Sequence, residues 1–522
     1  MRRGTEVLRR VLLVLLVGGL WVATALAGEG PDAGRPQLKL DLVLAQTGAG
    51  QPTSAPPPGV LALPLRDVIA LALKNNLDIQ VSGFNPRITN QALIGQEAVF
   101  DPSSFLELTR SDNRVPLGTQ IIQGARSFSD LWDYNIGVRQ KLPFGGTYEL
   151  RFNNEYNNTT GSGISQFVSK LGLTLTQPLL KNFGFEANET NIRISTNNRS
   201  ISGEQFRLQV STVITQAKSA YFNLIFAIRN LEVAHQALKL AQDLVALNSA
   251  RVRAGVAAPV EVTQAQAQAA AGVQNVILGE KAVQDAGDTL KVVMNLSASG
   301  GWGQQIQPTT APTSTPISIN SEESIRTALE NRYEYKSAKL DIDNKELSLR
   351  LTRNQLLPDL SLTGSLFTNG GAHLYGGDIA EMGSSHFISY SVGAILTVPL
   401  GNRAAQSSYI QSKLTLDQAK TSLRNLELQI TQQVRATIRQ VEANAKRIDA
   451  NRAARALAEE QLRVEQRRLE AGVSTTFNVL QFQTQLSTAE ANEIQAITDY
   501  NTSLATLDNV LGRVLEANQI EM

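Results

Sequence analysis

A chain of 522 residues normally divides into several globular domains, and with 18% charged residues and a formal net charge of +1 this one has no electrostatic preference for nucleic acid. It contains no cysteine, which excludes disulfides, thiolate chemistry and the lipid-bearing cysteine of a lipoprotein. Its histidines, His235, His373 and His386, are too few and too scattered in the sequence to predict a metal site.

The N-terminus has the composition of a secretory signal peptide. An apolar run over residues 11–22 follows a basic segment, and Ala25-Leu26-Ala27 fits a small-residue cleavage site. A transmembrane anchor is the alternative, although the apolar run is short for a membrane span. We therefore expect residues 1–27 to be removed on export and the Pro- and Gly-rich residues 28–60 to form a semi-rigid tether.

A helical pattern followed by an alternating pattern occurs twice in the chain. The first helical pattern runs, with interruptions, from Leu65 to about Val99 and ends before Pro102, because a proline disfavours helix in the residue before it. Its motif Ala-Leu-Lys-Asn, residues 72–75, recurs as Ala-Leu-Glu-Asn at residues 328–331, again ahead of a proline, Pro358. The recurrence indicates a duplicated unit.

After each proline, apolar and polar residues alternate with the period of two that a strand requires. Segments of about 10 residues with this alternation are typical of a transmembrane β-barrel. After the signal, no uninterrupted apolar run approaches the roughly 20 residues of a membrane-spanning helix, so only such strands are expected to cross a membrane. A half-buried soluble sheet gives the same alternation and remains the alternative. The apolar positions are Leu106, Leu108, Leu171, Leu173, Leu175, Leu360, Leu362, Leu366, Ile388, Tyr390, Val392, Ala394, Leu396 and Val398.

The first half contains an additional predicted hairpin over residues 131–157. Two alternating runs flank the tight turn Pro143-Phe144-Gly145-Gly146, and long polar loops are predicted at the opposite end, around residues 115–129 and 157–165. Short turns at one end and long loops at the other match the periplasmic and outer sides of a membrane barrel. The sequence leaves two positions open for this hairpin, within the wall or projecting above it.

The longest helical pattern extends from about Ala187 to Ala254. Apolar residues recur every seven positions from Val210 to Val252, and a companion row runs from Phe206 to Ala241. A seam held over about six heptads predicts left-handed supercoiling against neighbouring helices and a rod about 100 Å long. The equivalent seam in the second half is interrupted by Arg455, which predicts a weaker and wetter contact.

One short turn occurs twice, at the end of each long helical pattern. Ala-Gly-Val at residues 254–256 recurs at residues 471–473, and three glutamines that follow the first copy match three that follow the second without a gap. Glycine is the residue that ends a helix with positive φ. We therefore predict two helical hairpins with tips at residues 254–259 and 471–476, and with return helices over about 259–295 and 475–511.

These patterns predict a mixed α and β membrane protein built from a duplicated unit. The first repeat covers residues 61–296, a Gly- and Pro-rich linker residues 297–319, the second repeat residues 320–513, and a C-terminal tail residues 514–522. Each chain supplies long coiled-coil helices and four to six strands. A single chain would leave strand edges unpaired, so closure of a transmembrane barrel is predicted to require several copies.

In this order and duplicated, the features resemble those of the TolC-like outer-membrane efflux protein family over roughly residues 65–512. The most specific of them are the paired tips, the strand end Gln177-Pro178-Leu179-Leu180, the strand end Val398-Pro399-Leu400, and Asp499-Tyr500-Asn501 in the last helix. The resemblance implies a homotrimer in the outer membrane of a Gram-negative-type cell. Each chain is then expected to give four strands to one shared β-barrel and its long helices to one α-helical barrel through the periplasm.

The resemblance also implies where partners bind. The hairpin tips are expected to dock a periplasmic adaptor, or membrane fusion protein, which connects the channel to an inner-membrane pump or ABC exporter. The tip residues concerned are Arg253, Gly255, Val256, Glu470, Gly472 and Val473. The periplasmic entrance is expected at Glu261, Asn478 and Gln481. Some members of the family carry a ring of aspartates there, and the residues in this chain argue against a strong cation-binding ring.

The sequence predicts no chemistry of its own. Gly370-Gly371 and Gly376-Gly377 lack the Lys-Ser/Thr of a phosphate-binding loop and are interpreted as a loop tip. No cofactor, catalytic residue or metal ligand is predicted, so we expect a protein that is not an enzyme. The favoured function is a passive outer-membrane exit duct for tripartite efflux or type I secretion, energised by an inner-membrane partner. The alternative is a periplasmic coiled-coil structural or adaptor protein with a soluble β-domain.

Overall fold

A computed structural model describes residues 60–116, 126–160, 164–296 and 301–521. The chain divides into two units, Gln51–Ala517 on the one hand and Met1–Gly50 with Asn518–Met522 on the other, and every helix and strand given below belongs to the first unit. The predicted signal peptide and the tether up to residue 59 lie outside the described residues. Within those ranges no helix has the length and apolar character that a membrane crossing demands.

The described helices include two that are far longer than the rest. In chain order they are α1 (Leu65–Asn75), α2 (Leu77–Glu97), α3 (Phe185–Arg253), α4 (Pro259–Met294), α5 (Ser321–Asn331), α6 (Tyr333–Asn354), α7 (Tyr375–Gly383), α8 (Arg403–Glu470), α9 (Thr476–Val510) and α10 (Val514–Ala517). The strands are β1 (Val60–Leu63), β2 (Ser103–Pro116), β3 (Arg126–Lys141), β4 (Thr147–Thr160), β5 (Ile164–Pro178), β6 (Gln305–Pro308), β7 (Asp359–Asn369) and β8 (Ile388–Thr397).

The long helices α3 and α8 are part of a row of four helices packed side by side. At the end nearer the strands the row runs α2, α3, α6, α8, and at the end nearer the tips it runs α4, α3, α9, α8. The two long helices, α3 and α8, therefore extend from the strands to the tips. Each of the shorter helices α2, α4, α6 and α9 packs along only about half of that length. With 69 residues, α3 is about 103 Å long at about 1.5 Å per residue, which confirms the predicted rod.

The predicted seam of α3 is buried near the strands and changes towards the tip. Val210, Ala217 and Leu224 are fully or almost fully buried, as the heptad pattern predicts. Beyond the middle of the helix the neighbours of α3 are α4 and α9 rather than α2 and α6. There the companion row stays buried at Ala241 and continues to Asn248, whereas Leu238 and Val245 of the other row are only half-buried and Leu244 is buried instead, because the seam turns towards the new neighbours.

Short helix pairs precede the strands in both repeats. The predicted helix over residues 65–99 is broken at Asn76, whose backbone is extended and whose side-chain oxygen accepts a hydrogen bond from the Ile79 N–H at 3.1 Å, capping α2. Arg332 makes the equivalent break between α5 and α6. The predicted linker contains β6, which pairs in parallel with β1. Tyr221 of α3 fastens this small sheet, because its hydroxyl donates to the Leu63 carbonyl.

Six strands form one antiparallel sheet in the order β2, β3, β4, β5, β7, β8. The hairpin predicted at residues 131–157 is β3 and β4, and it lies between β2 and β5 rather than outside them. The strands reach further than predicted: β2 extends to Pro116, β3 begins at Arg126, β4 ends at Thr160 and β5 begins at Ile164. Both ends of the loops predicted at residues 115–129 and 157–165 are therefore strand.

The two faces of the sheet separate apolar from polar side chains, as the alternation predicts. Leu106, Ile136, Phe152 and Leu171 stand opposite one another in the register and share one face. Glu107, Asn135, Asn153 and Lys170 share the other face in the same way. A further error concerns the glycines between β7 and β8. Gly376 and Gly377 lie in α7 and not at a loop tip.

Candidate functional site

Both hairpin tips have the same backbone geometry. At the first tip the Gly255 N–H donates to the Val252 carbonyl and the Val256 N–H to the Arg251 carbonyl, each at 3.0 Å. Gly472 and Val473 make the equivalent bonds to Leu469 and Arg468. This is the Schellman arrangement, which satisfies the last carbonyls of a helix and needs a residue with positive φ. Gly255 and Gly472 have φ of 77° and 76°, so the predicted glycine helix ends are confirmed.

The tips present apolar side chains to solvent at equivalent positions. Val256 and Val473 are each 67% exposed, and Val260 and Phe477 are exposed one turn further on. Leu247 and Val464 form a third exposed pair before the turns. Each pair is separated by the same distance in sequence as Gly255 and Gly472. We call these six residues the tip patch. Matched exposed apolar residues in a duplicated structure are typical of an interaction surface.

Buried polar contacts join the first hairpin to the second. Thr476 at the start of α9 is fully buried, and its hydroxyl lies 2.7 Å from a carboxylate oxygen of Glu261 in α4 and 3.3 Å from the side-chain oxygen of Asn248 in α3. The amide of Asn248 donates to the Glu261 carbonyl at 3.2 Å. Three helices therefore meet in one polar cluster just behind the tips.

An apolar cluster beside these contacts binds the tips together. Leu244 and Ala265 from the first hairpin pack with Leu462, Leu469 and Val479 from the second, and all five are buried. Because every member is removed from water, the two tips behave as one structural element. The predicted tip residues of the two repeats are therefore brought together, although they are more than 200 positions apart in sequence.

The predicted entrance residues have different environments. Glu261 belongs to the polar cluster with Thr476 and does not stand free. The Asn478 amide donates to the Ser474 hydroxyl at 3.3 Å, and Gln481 is exposed. Arg253 and Glu470 are exposed at the two turns. Among the described residues no group of His, Asp and Glu side chains is placed to hold a metal ion.

A buried carboxylate, that of Glu465, contacts the second tip from the last turns of α8. Glu465 is almost fully buried, its carboxylate accepts a hydrogen bond from the Ser474 hydroxyl, and it pairs with Arg468 at 3.2 Å. The position of Glu465 corresponds to Asn248 in the first repeat. The two tips therefore use different chemistry at equivalent positions, a carboxylate with an arginine in one and an amide in the other.

Arg455 interrupts the second seam as the sequence predicted, but it has a partner. Its guanidinium lies 3.0 Å from the carboxylate of Glu493, which Arg452 also approaches at 3.5 Å, and Glu493 is almost fully buried. The hydrogen bond to Glu493 raises the pKa of Arg455, so this arginine stays charged. Helices α8 and α9 of the second hairpin are joined here by ion pairs in place of apolar contacts.

Glu490 lies one helical turn from Glu493, and its charged form is destabilised by its surroundings. Burial raises the pKa of its carboxyl, Arg455 opposes that rise, and Glu459 and Glu493 add to it. A folded-state pKa above the unfolded value means that the charged form costs stability at neutral pH. We expect Glu490→Gln to raise the thermal midpoint at pH 7, and this gain to shrink as the pH falls and to disappear below the ordinary glutamate pKa of about 4.3, where Glu490 is protonated in both states.

Differential scanning calorimetry over this pH range measures the effect. Glu442→Gln, at an exposed position of α8, is the matched control and should leave the midpoint unchanged at every pH. A Glu490→Gln gain that persists unchanged at low pH would contradict the assignment to the buried charge.

The polar face of the sheet carries a charged network that the sequence did not reveal. Arg151 of β4 pairs with Glu107 of β2 at 2.5 Å across the intervening strand, and with Glu149 at 3.7 Å. The Asn135 amide on β3 also points to Glu107, at 3.4 Å. Phe105 lies on the same face, and two guanidinium groups, those of Arg139 and Arg151, stand over its ring. A face of this character is suited to water.

The apolar face is bordered by aromatic residues at both ends. Near the loops, the Tyr156 and Phe167 rings lie 4.8 Å apart, and Trp132 and Tyr134 stack at 6.3 Å. At the opposite end, beside the β3–β4 turn, the Phe144 ring contacts the Phe185 ring at the start of α3. Apolar side chains, exposed in the isolated chain, fill most of the interval. The exceptions are Asn154 and Ser169, which are hydrogen-bonded to each other, and Ser169 also donates to Asp378 of α7.

Sequence reasoning identified the tip glycines and valines and missed most of the tip patch. Leu247, Val260, Val464 and Phe477 lie in helical pattern and look like ordinary helix residues when read singly. Their signal was the match across the duplication, because an apolar residue at both equivalent positions next to a turn is not needed for the hairpin's own core. No pattern near Thr476 in the sequence indicated its role, because the residues that it contacts are distant in the sequence.

Comparison with known proteins gives one consistent result. A family model described as "Outer membrane efflux protein" matches residues 122–296 and 324–513. The outer membrane efflux protein BepC of Brucella suis biovar 1 (strain 1330) is 22% identical over 441 residues, covering 82% of this chain and 89% of BepC.

Solved structures share the fold over most of the chain. A membrane protein from Pseudomonas aeruginosa has a TM-score of 0.65 at 18% identity, over 86% of this chain and 90% of that one. The outer membrane protein VceC from Vibrio cholerae has a TM-score of 0.62 at 16% identity, over 86% of this chain and 96% of VceC. These similarities show the same arrangement of long helices and strands.

Proposed function

The chain belongs to the outer membrane efflux protein family, and on that basis we propose that it forms, as a homotrimer, the exit duct of a tripartite efflux or type I secretion system. Its place is the outer membrane, with the helices extending into the periplasm. Proteins of this family are channels, and the chain is not expected to catalyse a reaction. Energy for transport then comes from an inner-membrane partner.

The observation that carries this proposal is the separation of two surfaces by the long helices. A sheet with one apolar and one polar face lies at one end, and an exposed apolar patch on paired tips lies at the other, about 100 Å away. The interval from Tyr148 to Tyr156 on β4 is about 27 Å along the strand, or about 20 Å across a bilayer at a tilt of about 40°. This is close to the apolar band of about 25 Å that outer-membrane barrels present.

The polar face supports a water-filled passage through that membrane region. In a closed wall with its apolar face towards lipid, Glu107, Arg151 and Lys170 line the interior. Both charge signs occur there, so the wall itself is not expected to select strongly for cations or anions. Selection of cargo is then a property of the inner-membrane pump and of the tips.

We assign the tip patch, with Arg253 and Glu470 beside it, to the docking of a periplasmic adaptor. The three exposed apolar pairs provide apolar surface that an adaptor can bury, and the charges of Arg253 and Glu470 orient the adaptor as it binds. The narrow end of the duct is expected at the polar cluster of Glu261 and Thr476 and at the neighbouring Asn478 and Gln481. The adaptor connects this end to the pump or ABC exporter.

Replacing Gly472 with valine should impair export while leaving the trimer assembled. Gly472 has φ of 76°, and the space where a side chain would begin is open, so the only cost is backbone strain, about 1–2 kcal/mol for a branched residue. We expect the second turn to reorganise and adaptor crosslinking to fall several-fold. Gly472→Asn is the control, because asparagine tolerates positive φ. Normal crosslinking and normal efflux in the valine variant would argue against the tip assignment.

Membrane fractionation tests the proposal as a whole. An outer-membrane duct should resist extraction by high salt and give a heat-modifiable oligomer band, because its apolar face is in contact with lipid. A periplasmic structural or adaptor protein with a soluble sheet should leave the membrane in high salt as a monomer, and that result would exclude the duct.

A further inference from the structure

The sheet of this protein has two more strands than the resemblance to its family implies. Four strands per chain were expected in the shared wall, and six are paired without interruption. The additional pair is the β3–β4 hairpin, whose strands are bonded to each other from Lys141 and Thr147 to Phe128 and Thr160. The hairpin separates β2 from β5 along its whole length, so it is not an appendage on a four-stranded sheet.

The hairpin is also anchored where the sheet meets the helices. The Phe144 carbonyl in its turn accepts a hydrogen bond from the Gly184 N–H at 3.0 Å, just before α3 begins. Gly145 has φ of 95° and packs so closely that a Cβ there would clash with the Asn182 carbonyl. A hairpin projecting beyond the sheet would not need its turn at this junction. The anchored turn places β3 and β4 at the same height as their neighbours.

The additional strands obey the same division of faces as the rest. Ile136 and Phe152 share the apolar face with Leu106 and Leu171, and Arg151 joins Glu107 on the polar face. Strands standing in water above a membrane would have no reason to keep a continuous apolar face that is exposed in the isolated chain. The apolar face therefore extends over the additional strands as over the others, and its polar interruption at Asn154 and Ser169 is covered by Asp378 of α7.

The size of the helical row favours six strands. Four helices packed about 8–10 Å apart cover an arc of about 32–40 Å. Strands about 4.8 Å apart and tilted by about 40° take about 6 Å of circumference each. Six strands then cover about 38 Å and match the row of α2, α3, α6 and α8 beneath them, whereas four would cover only about 25 Å.

The two flanks of the chain present strand edges and apolar helix surfaces with which a second copy of the chain can pair. At one flank β2 pairs on its outer edge with no described strand, and α2 exposes Leu77, Val81 and Phe84 along one side. At the other flank no described strand pairs with the outer edge of β8, and α8 has a shallow groove that includes Ile410 and Leu414. β8 runs opposite in direction to β2, so β8 of one copy can pair antiparallel with β2 of the next and continue the alternation.

We propose that three copies close an eighteen-stranded wall above twelve helices, with β8 of each copy paired to β2 of the next and with β3 and β4 inside the wall. The inference rests on the proposed trimeric duct and adds the number of strands and the diameter of its membrane-spanning wall. Eighteen strands give a backbone diameter of about 36 Å, against about 24 Å for twelve at the same tilt. The membrane end of this duct is then wide enough for cargo larger than a small molecule.

Disulfide mapping tests the inference, because the chain has no cysteine of its own. Leu106 and Ile136 stand opposite each other on β2 and β3, within the reach of a disulfide. The double variant Leu106→Cys/Ile136→Cys should form an intramolecular disulfide in outer membranes in high yield. Leu106→Cys/Leu171→Cys, on β2 and β5, should form none. The opposite outcome, in which only the second variant links, would place β3 and β4 outside the wall and overturn the proposal.

A third set of variants separates this result from failure of the duct itself. Leu106→Cys on β2, combined in turn with Ile388→Cys, Val392→Cys or Leu396→Cys on the same face of β8, should link β2 to β8 between copies in at least one combination and give a ladder ending at three chains. A ladder together with a β2–β5 disulfide keeps the trimeric duct and rejects the eighteen-stranded wall. A monomer with β2–β3 linkage and no ladder rejects the duct and the wall together.

Discussion

Replacing Gly145 with valine is expected to prevent assembly of the sheet on the helices. Gly145 is buried in the β3–β4 turn with φ of 95°, and a Cβ there would clash with the Asn182 carbonyl. Strained backbone costs about 1–3 kcal/mol, and overpacking against a fixed main chain costs about 1–3 kcal/mol more. We expect the heat-stable oligomer to be lost or reduced at least tenfold in membranes, measured on gels of unheated samples.

The matched control is Gly364→Val in β7 of the same sheet. A side chain at Gly364 would enter open space, and the strand backbone there suits a β-branched residue. It should assemble normally. Equal assembly of both variants would mean that the β3–β4 turn is not packed against the junction between sheet and helices.

Removing the hydroxyl of Tyr221 is expected to destabilise the middle of the chain by about 2 kcal/mol. The Tyr221 side chain is fully buried in α3, donates to the Leu63 carbonyl at 3.0 Å and accepts from the Thr310 N–H at 2.8 Å. Phenylalanine leaves both backbone groups without this partner, and buried unpaired groups cost about 1–3 kcal/mol. Urea unfolding in detergent, followed by circular dichroism at helix wavelengths, measures the loss.

Tyr148→Phe is the control for this effect. Tyr148 is half-buried and its hydroxyl donates to the side-chain oxygen of Gln140 at 2.7 Å, and because Gln140 is also half-buried, water can replace the hydroxyl at that oxygen. Its loss should cost less than about 1 kcal/mol. Equal losses from the two variants would contradict the assignment of Tyr221 as the residue that fastens β1 and β6 to the long helix.

The sequence was sufficient to predict the elements whose signals are local or repeated. Gly255 and Gly472 were identified because each ends a periodic helix and each lies in the same short motif. Leu106 and Ile136 were placed on strands because alternation is visible within about ten residues. Arg455 stood out as the one charge in an apolar row.

Other features could not be predicted because they depend on residues distant in the sequence. The position of β3 and β4 depends on pairing with β2 and β5, and alternation is identical for a hairpin inside or outside a wall. Thr476 acquires its role from Asn248 and Glu261 on two other helices. The α7 helix was missed because Gly376 and Gly377 have low helix propensity, which the packing of Asp378 against Ser169 overrides.

Electron cryomicroscopy of the full-length protein in lipid nanodiscs tests the central claim most directly. The account predicts a ring with threefold symmetry, with the six strands of each chain inside the disc and rods extending about 100 Å from one face to the paired tips. A particle in which each chain folds its sheet outside the disc, with no symmetric ring, would contradict it.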